Sequence, residues 1–568
     1  MPALSLPTRL LLLVRAALTR ARTDPSLAGR WLLTRRGAQG RVVSVALRAL
    51  RPVAPDAVAV LRGAEVTSGR GGLVVWAALA AGRADLADRL SRGGGSDGGP
   101  AAVSRLRAAT LWQLGRWDEA VAAAPAGSWL HRRLAAERDA QLHPLPGPVP
   151  PAAPRPPGLS RPAGEPRVLH LVTNCLPWTR SGYTARTREV LRAQRDAGVQ
   201  VAVAAAFGYP ATILRLPPPG TVVVDGVPHH LLLPRRWPHE VAAERDAAVR
   251  LLSDVVRRER PDVLHAHSHH PNAALALEVG RRLGLPVVYE VRGLLHETWA
   301  HGRGPGAEDT ERYRVHRERE AEAWRAADVV LTLGEAMRAR VLAAAPGVDV
   351  RLVPNAVGAE LLEALARPDR AAVRARTRER LGVAEHELLV GSVSSVVGYE
   401  GFDVLADALA APGAPAGVRG LVVGDGADLP RLRERAAALP AGRLLLPGRV
   451  AAEDVPAHLA ALDVFVVPRT DSTVTRVVTP LKPAEAMAAA LPLVVSDLPA
   501  LREFVDDGVE GLLVPPGDPG ALARALARLV DPGRRAAAGE AGRRRVLATR
   551  TWSANGRAYR QVYEEVLG

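Results

Sequence analysis

Lysine and cysteine are almost absent from this 568-residue chain, which has one of each, Lys482 and Cys175. A single cysteine excludes an internal disulfide and suits a reducing cytoplasm. Cys175 follows a hydrophobic run and reads as a packed small residue rather than a nucleophile. No stretch of about 18 apolar residues occurs, so no membrane-spanning helix is expected. Aromatic residues are scarce, at 4%. No aromatic-interleaved basic patch, zinc-ligand spacing or RNP-like motif accompanies the many arginines, which argues against nucleic acid as a partner.

What the chain does have is apolar content, alanine and arginine. Hydrophobic residues make up 48% of the sequence, enough for sizeable cores, and the length suits two or three domains. The formal net charge is +16. That excess fits an acidic partner such as an anionic lipid surface or an acidic glycan, or else arginine spread over solvated helix faces. The start, Leu10-Leu11-Leu12-Leu13-Val14 among Arg9, Arg15, Arg20 and Arg22, is too short to span a bilayer. It reads as the first helix of a bundle or as a basic amphipathic helix on a membrane surface.

Composition divides the chain. Residues 1–140 read as all-helical, with long Ala/Leu/Arg stretches broken by Gly and Pro. Trp76–Arg83 and Leu111–Arg116 resemble each other, with Gly82 and Gly115 set about one tetratricopeptide period apart. Such a region would dock a protein partner or cap the rest of the molecule. Residues 141–166 are proline-rich and form an extended linker. From residue 167 strand-like and helix-like segments alternate: Val168–Thr173, Val199–Ala205, Asp262–His265, Pro286–Val291, Asp328–Leu333 and Val350–Val353. A second series follows at Leu388–Val393, Leu421–Val423, Leu444–Leu446, Val464–Val467 and Leu493–Val495. This alternation predicts parallel sheets covered by helices, in two domains across a cleft.

The stretch Thr479-Pro480-Leu481-Lys482-Pro483-Ala484-Glu485-Ala486-Met487-Ala488, followed by Leu491–Pro499, carries the most chemistry. A turn opening a helix presents free backbone N–H groups and partial positive charge to a phosphate. A carboxylate in the first turn can take both hydroxyls of a ribose, and the next strand ends at Ser496 and Asp497.

With Asp425, Gly448, Asp463 and the run Asp506–Asp518, this stretch resembles the family-4 retaining glycosyltransferases of the GT-B fold, in the subgroup carrying a TPLKPxEAMA motif. The resemblance runs from about Arg167 to the C-terminus. It implies an α/β fold of two Rossmann-like domains with parallel sheets facing a cleft, behind the all-α region. The acceptor domain would span 167–380 and the nucleotide-sugar donor domain 381–551, with a C-terminal helix over 552–568 returning to the acceptor domain. It further implies hexosyl transfer (EC 2.4 type) with retention from a UDP- or GDP-linked sugar to a glycan or lipid-linked acceptor. No metal and no cofactor other than the sugar nucleotide would be needed. Assembly of polysaccharide or glycolipid at the inner face of the plasma membrane, by a cytoplasmic or peripheral protein, is the corresponding expectation.

By that resemblance Glu485 is the second glutamate of an E-x7-E pair and holds the donor ribose. The first glutamate falls at Val477, and two usual diphosphate-binding cations fall at Ser392 and Glu400. Lys482 is the one lysine in a chain that otherwise uses arginine, which argues that a compact ammonium is needed there. The donor site is therefore expected from Lys482, Glu485, Pro480, Leu481, Gly182 and Ser392, with Arg469 or Arg476 assisting. Gly182, in Ser181-Gly182-Tyr183, would let the backbone approach the leaving phosphate.

Glu290, Arg292 and His267 are the catalytic candidates. Arg292 stands where relatives carry a histidine and would stabilise charge on the leaving diphosphate or orient the acceptor; with Glu290 it could equally form a structural ion pair. His265, His267, His269 and His270 invite a metal, but no acidic or cysteine partner stands near them at metal spacing. They read as substrate hydrogen-bonders, caps or packing residues. The substitutions at Val477, Ser392 and Glu400 also admit an inactive scaffold that recruits partners through its helical region.

Overall fold

The computed structural model describes residues 8–10, 12–13, 86–89, 100–148, 164–218 and 220–568. The Trp76–Arg83 copy of the helical motif and most of the proline-rich linker lie outside these residues. The chain forms two compact units. The first comprises residues up to 180, 201–290 and 294–328; the second comprises 181–200, 291–293 and 329–568.

In chain order the elements used below begin with α1 (Pro100–Gln113), α2 (Trp117–Ala123), α3 (Trp129–Leu142), β1 (Arg167–Val172) and α4 (Gly182–Asp196). Next come β2 (Gln200–Ala205), β3 (Val222–Val224), β4 (Val227–Leu231), α5 (Val241–Glu259), β5 (Val263–His267) and α6 (His270–Leu283). After β6 (Val287–Val291), α7 (Leu295–His301) and α8 (Glu311–Ala326) come β7 (Val329–Thr332), β8 (Val350–Leu352), β9 (Leu388–Val393), β10 (Val418–Val423) and β11 (Leu444–Gly448). The last are β12 (Val464–Val467), α9 (Lys482–Ala488), β13 (Leu493–Ser496), β14 (Gly511–Val514) and α10 (Trp552–Leu567).

In the first unit the strands run in the order β3-β4-β2-β1-β5-β6. All pairings described within it are parallel except the edge hairpin β3–β4. That hairpin turns on Asp225 and Gly226, both at positive φ (49° and 77°), the backbone that a two-residue hairpin turn needs. The described N-terminal helices belong to this unit. Trp112, Trp117, Leu130 and Leu134 of α1–α3 form one core with Val315 of α8. The Glu311 carboxylate accepts from the Trp117 N–H at 2.9 Å, satisfying one of the free donors at the start of α2. Arg133 bridges to Glu244 of α5 at 2.8 Å. Gly115, at φ +79°, lies where a Cβ would meet the Trp299 ring at 2.7 Å and Arg312 Cβ at 2.9 Å. Both its backbone and its lack of a side chain are thus required for packing on α7 and α8.

In the second unit β7 pairs with β8 in parallel, and six further strands run β11-β10-β9-β12-β13-β14, parallel throughout. Alternate side chains of these strands go to opposite faces. Phe465, Val467, Leu493 and Val495 enter one core, while Val464, Val466 and Val494 enter the other. The near-continuous apolar runs of the sequence are the signature of strands covered on both faces. The last helix, α10, lies along α4. Gly556 meets the Ala193 carbonyl so closely that a Cβ there would stand 2.2 Å from the oxygen. Arg186 and Gln194 of α4 donate to the hydroxyls of Tyr559 and Tyr563 at 3.2 and 2.8 Å.

No described helix is long and apolar enough to cross a membrane.

Candidate functional site

The turn from Val478 to Leu481 delivers the chain into α9. Pro483 lies in the first turn, where its missing N–H costs nothing. Lys482 and Glu485 stand one turn apart, and the ammonium reaches the carboxylate Oε2 at 2.7 Å. Both side chains keep solvent contact, 33% and 16% exposed, so an incoming polyanion could exchange with this pair. Glu485 also gains from the partial positive charge of the helix start. Pro480 is buried and Leu481 half-buried; they set the turn rather than offer polar atoms.

Behind this turn lies a chain of buried hydrogen bonds. The Thr479 carbonyl accepts from Asn355 Nδ2 at 3.0 Å, and Asn355 Oδ1 accepts from Arg186 at 3.0 Å. Arg186 also donates to the Val353 carbonyl at 2.7 Å. Gly334 approaches from the loop after β7, where a Cβ would meet Thr479 Oγ1 at 2.5 Å and the Glu503 carboxylate at 2.2 Å. Burial raises the Glu503 carboxyl above the usual range. No local pattern marks Arg186, Asn355 and Gly334 as supports, because their partners lie over a hundred residues away along the chain.

The other donor candidates are spread more widely. Ser392 is buried in β9. Gly182 opens α4 with open space where a Cβ would be, and Ser181 caps that helix by accepting from the Thr184 N–H. Arg469 is held in a bidentate buried pair with Glu400, at 2.7 and 3.2 Å, and donates to the Val478 carbonyl at 2.9 Å. The acidic residue at a usual cation position thus engages this arginine. Arg476 pairs with Asp471 on the surface. Among these cations Lys482 is the one beside the expected ribose-binding carboxylate.

The three catalytic candidates are divided between two settings. Arg292 belongs with α4: it donates to Thr187 Oγ1 at 2.7 Å and to the Tyr183 carbonyl at 3.3 Å. Its guanidinium lies 4.9 Å from the centre of the Tyr183 ring, a cation–π distance. His267 and Glu290 face each other in register on β5 and β6, and both are wholly buried. Neither presents an atom to solvent. They belong to a polar layer on one face of the first sheet. His265 lies two residues before His267 on the same strand, and His170 stands opposite His265 on β1. His170 Nδ1 is 2.8 Å from His267 Nε2. Glu290 reaches His265 Nε2 at 3.6 Å and His267 Nδ1 at 3.9 Å. An acidic neighbour is therefore present after all, supplied by the next strand rather than by local spacing.

The opposite face of β6 is polar too. Tyr289 donates to Glu320 at 2.7 Å, and the His270 N–H donates to the same carboxylate at 2.9 Å. Burial pushes the Glu320 carboxyl up, but hydrogen bonds with His270 and Tyr289 hold it below its ordinary range. Burial also pushes His269 down to about 4.

Known proteins match both candidate regions. Residues 181–356, which include Gly182, His267, Glu290 and Arg292, match the family described as Glycosyl transferase 4-like domain. Residues 387–532, which include Ser392, Arg469, Lys482 and Glu485, match Glycosyl transferases group 1. The chain is 33% identical over 242 residues to the D-inositol 3-phosphate glycosyltransferase of Salinispora arenicola, covering 40% of this chain and 50% of that one. It is 33% identical over 236 residues to the GDP-mannose-dependent alpha-(1-6)-phosphatidylinositol monomannoside mannosyltransferase of Mycolicibacterium smegmatis, covering 40% and 60%. It thus spans about half to six-tenths of the length of these curated relatives. Among solved structures, Anabaena HepE in complex with UDP superposes with TM-score 0.56 at 18% identity, over 70% of this chain and 100% of that one. Sucrose-phosphate synthase from Thermosynechococcus elongatus superposes with TM-score 0.56 at 19% identity, over 70% and 99%. On these matches, residues 181–356 and 387–532, together more than half the chain, are glycosyltransferase domains of the family-4 type on a GT-B fold.

Proposed function

We propose that the chain transfers a hexosyl group from a UDP- or GDP-linked donor to a glycan or lipid-linked acceptor, with retention at the anomeric carbon and no metal ion in the transfer step. The observation that carries this reading is the half-open Lys482–Glu485 pair in the first turn of α9, inside the segment that matches Glycosyl transferases group 1. Glu485 accepts the two ribose hydroxyls. Lys482, released from Glu485, meets the donor diphosphate as a compact point charge. The Thr479 carbonyl, tied back through Asn355 and Arg186, fixes the turn from which both side chains project.

In the transfer step the acceptor oxygen bonds to the anomeric carbon as the bond from that carbon to the phosphate oxygen breaks. The acceptor proton passes to the departing phosphate. The protein then supplies position and charge stabilisation rather than a carboxylate dyad. Arg292, fixed by Thr187 and stacked on Tyr183, serves the leaving diphosphate or orients the acceptor. UDP is the nucleotide bound in the HepE structure and GDP-mannose the donor in the M. smegmatis relative's name, which keeps both nucleotides in the reading. Peripheral association with an anionic membrane face accords with the net charge of +16.

A thermal-shift screen against UDP-, GDP- and ADP-linked sugars tests the proposal. One nucleotide class should stabilise the protein, by about 2.7 kcal/mol at a hundred times the dissociation constant. No shift with any of them would favour a scaffold without catalysis.

A further inference from the structure

We propose that His170, His265 and His267 form a site for one divalent transition-metal ion of the zinc class, buried within the first unit and separate from the transfer chemistry. Each histidine offers one ligand atom, and these atoms lie within 4.8 Å of one another. The three imidazoles converge because of strand register. His170 of β1 is opposite His265 of β5, and His267 follows on the same face of β5 two residues later. The rings stand 4.2–5.1 Å apart, centre to centre, and all three side chains are fully buried. Ligands on paired parallel strands are positioned by the sheet rather than by mobile loops, which is the arrangement a metal site needs.

The carboxylate supplies the second observation. His267 turns Nε2 toward His170 Nδ1, at 2.8 Å, while its other nitrogen, Nδ1, faces Glu290 Oε1 at 3.9 Å. A metal-bound histidine characteristically directs its remaining ring nitrogen to a carboxylate, which fixes the tautomer and strengthens the ligand. Glu290 Oε2 lies 3.6 Å from His265 Nε2. Both separations are longer than a hydrogen bond, so in this geometry Glu290 contributes a nearby negative charge, and a small shift on metal binding would bring it into hydrogen-bond reach. Three imidazole nitrogens favour zinc, cobalt, nickel or copper over magnesium or calcium, which prefer all-oxygen shells. Metal–nitrogen bonds of about 2.0–2.1 Å at tetrahedral angles hold ligand nitrogens about 3.3 Å apart, so His170 and His267 would separate by about half an ångström on binding. Full burial leaves no coordination position open to a substrate, which makes the ion a staple across β1 and β5, oriented by β6.

The full chain, expressed with zinc in the medium and desalted, is assayed for metal by mass spectrometry. About one zinc per chain is expected. After chelator treatment, added cobalt(II) should produce the visible absorption of a tetrahedral nitrogen-ligated site, which the colourless zinc form lacks. Chelation should lower the melting temperature of the wild type, whereas the volume-conserving variants His265→Gln and His267→Gln should show no response to chelator. Should the variants fail to fold, the metal content, the cobalt spectrum and the chelator response of the wild type decide the matter alone. Substoichiometric metal, no cobalt absorption and an unchanged melting temperature under chelator would overturn the proposal, leaving a layer of mutually hydrogen-bonded imidazoles. Nucleotide binding by the same preparation reads the donor site separately, so either proposal can fail without the other.

Discussion

At the scale of the residue, the informative positions are those where a charge is buried. Glu400 and Arg469 are a pair only 10% and 7% exposed, and removing one partner strands the other. Glu400→Ala is expected to lose about 3–5 kcal/mol of stability, read from urea unfolding; a change under about 1 kcal/mol would mean that water already screens the pair. Cys175 makes the opposite point. Burial pushes its thiol up to about 12, so the thiolate that alkylating reagents require is scarce near neutral pH. Iodoacetamide should modify Cys175 only on unfolding, with a rate that follows urea concentration; fast labelling of the native protein would contradict its placement. Lys482 and Glu485 were legible in the sequence because their spacing is local, one helical turn. The histidine layer was only half legible. His265 and His267 stood out as neighbours in the chain, but His170 and Glu290 join them through register between strands, which no spacing along one segment reveals.

At the scale of the element, the parallel strands could be read from their apolar runs, and the observed limits differ by a few residues at the ends. Val418–Val423 extends three residues further toward its N-terminus than the sequence suggested. The additional residues include Arg419 and Gly420, which interrupt the apolar run while the backbone ladder with β9 continues through them. The β3–β4 hairpin is marked in the sequence only by the Asp225-Gly226 turn signal. β3 has only three residues and sits at the sheet edge in antiparallel pairing, so it falls outside the strand–helix alternation that marked the others. β14 lies inside the Asp506–Asp518 motif and has no long apolar run of its own. The contact of α10 with α4 depends on a glycine, because the Ala193 carbonyl occupies the space a side chain at Gly556 would need. Gly556→Val should force the helices apart and cost about 1–3 kcal/mol, seen as a lower melting temperature. An unchanged melting temperature would show that α10 can slide without loss.

At the scale of the whole molecule, acid should be a weakness. Burial pushes His316 down to about 2, aided by repulsion from His270, Arg312, His269 and His296. Its ring lies against Trp117 and His270. The unfolded chain binds a proton at this position below about pH 6.5, which the native state refuses. The stability contributed by the neutral ring is therefore complete above that pH and declines steadily on acidification. His316→Phe should flatten the fall in melting temperature between about pH 6.5 and 4.5; a profile parallel to the wild type's would place the acid sensitivity elsewhere.

Calorimetric titration of UDP and GDP into the wild type, Lys482→Ala and Glu485→Ala reads the proposed donor site. Saturable one-site binding of one nucleotide diphosphate is expected, weakened about tenfold or more in each variant through loss of a hydrogen bond to a charged group. Wild-type affinity in both variants, or no binding to the wild type, would contradict it.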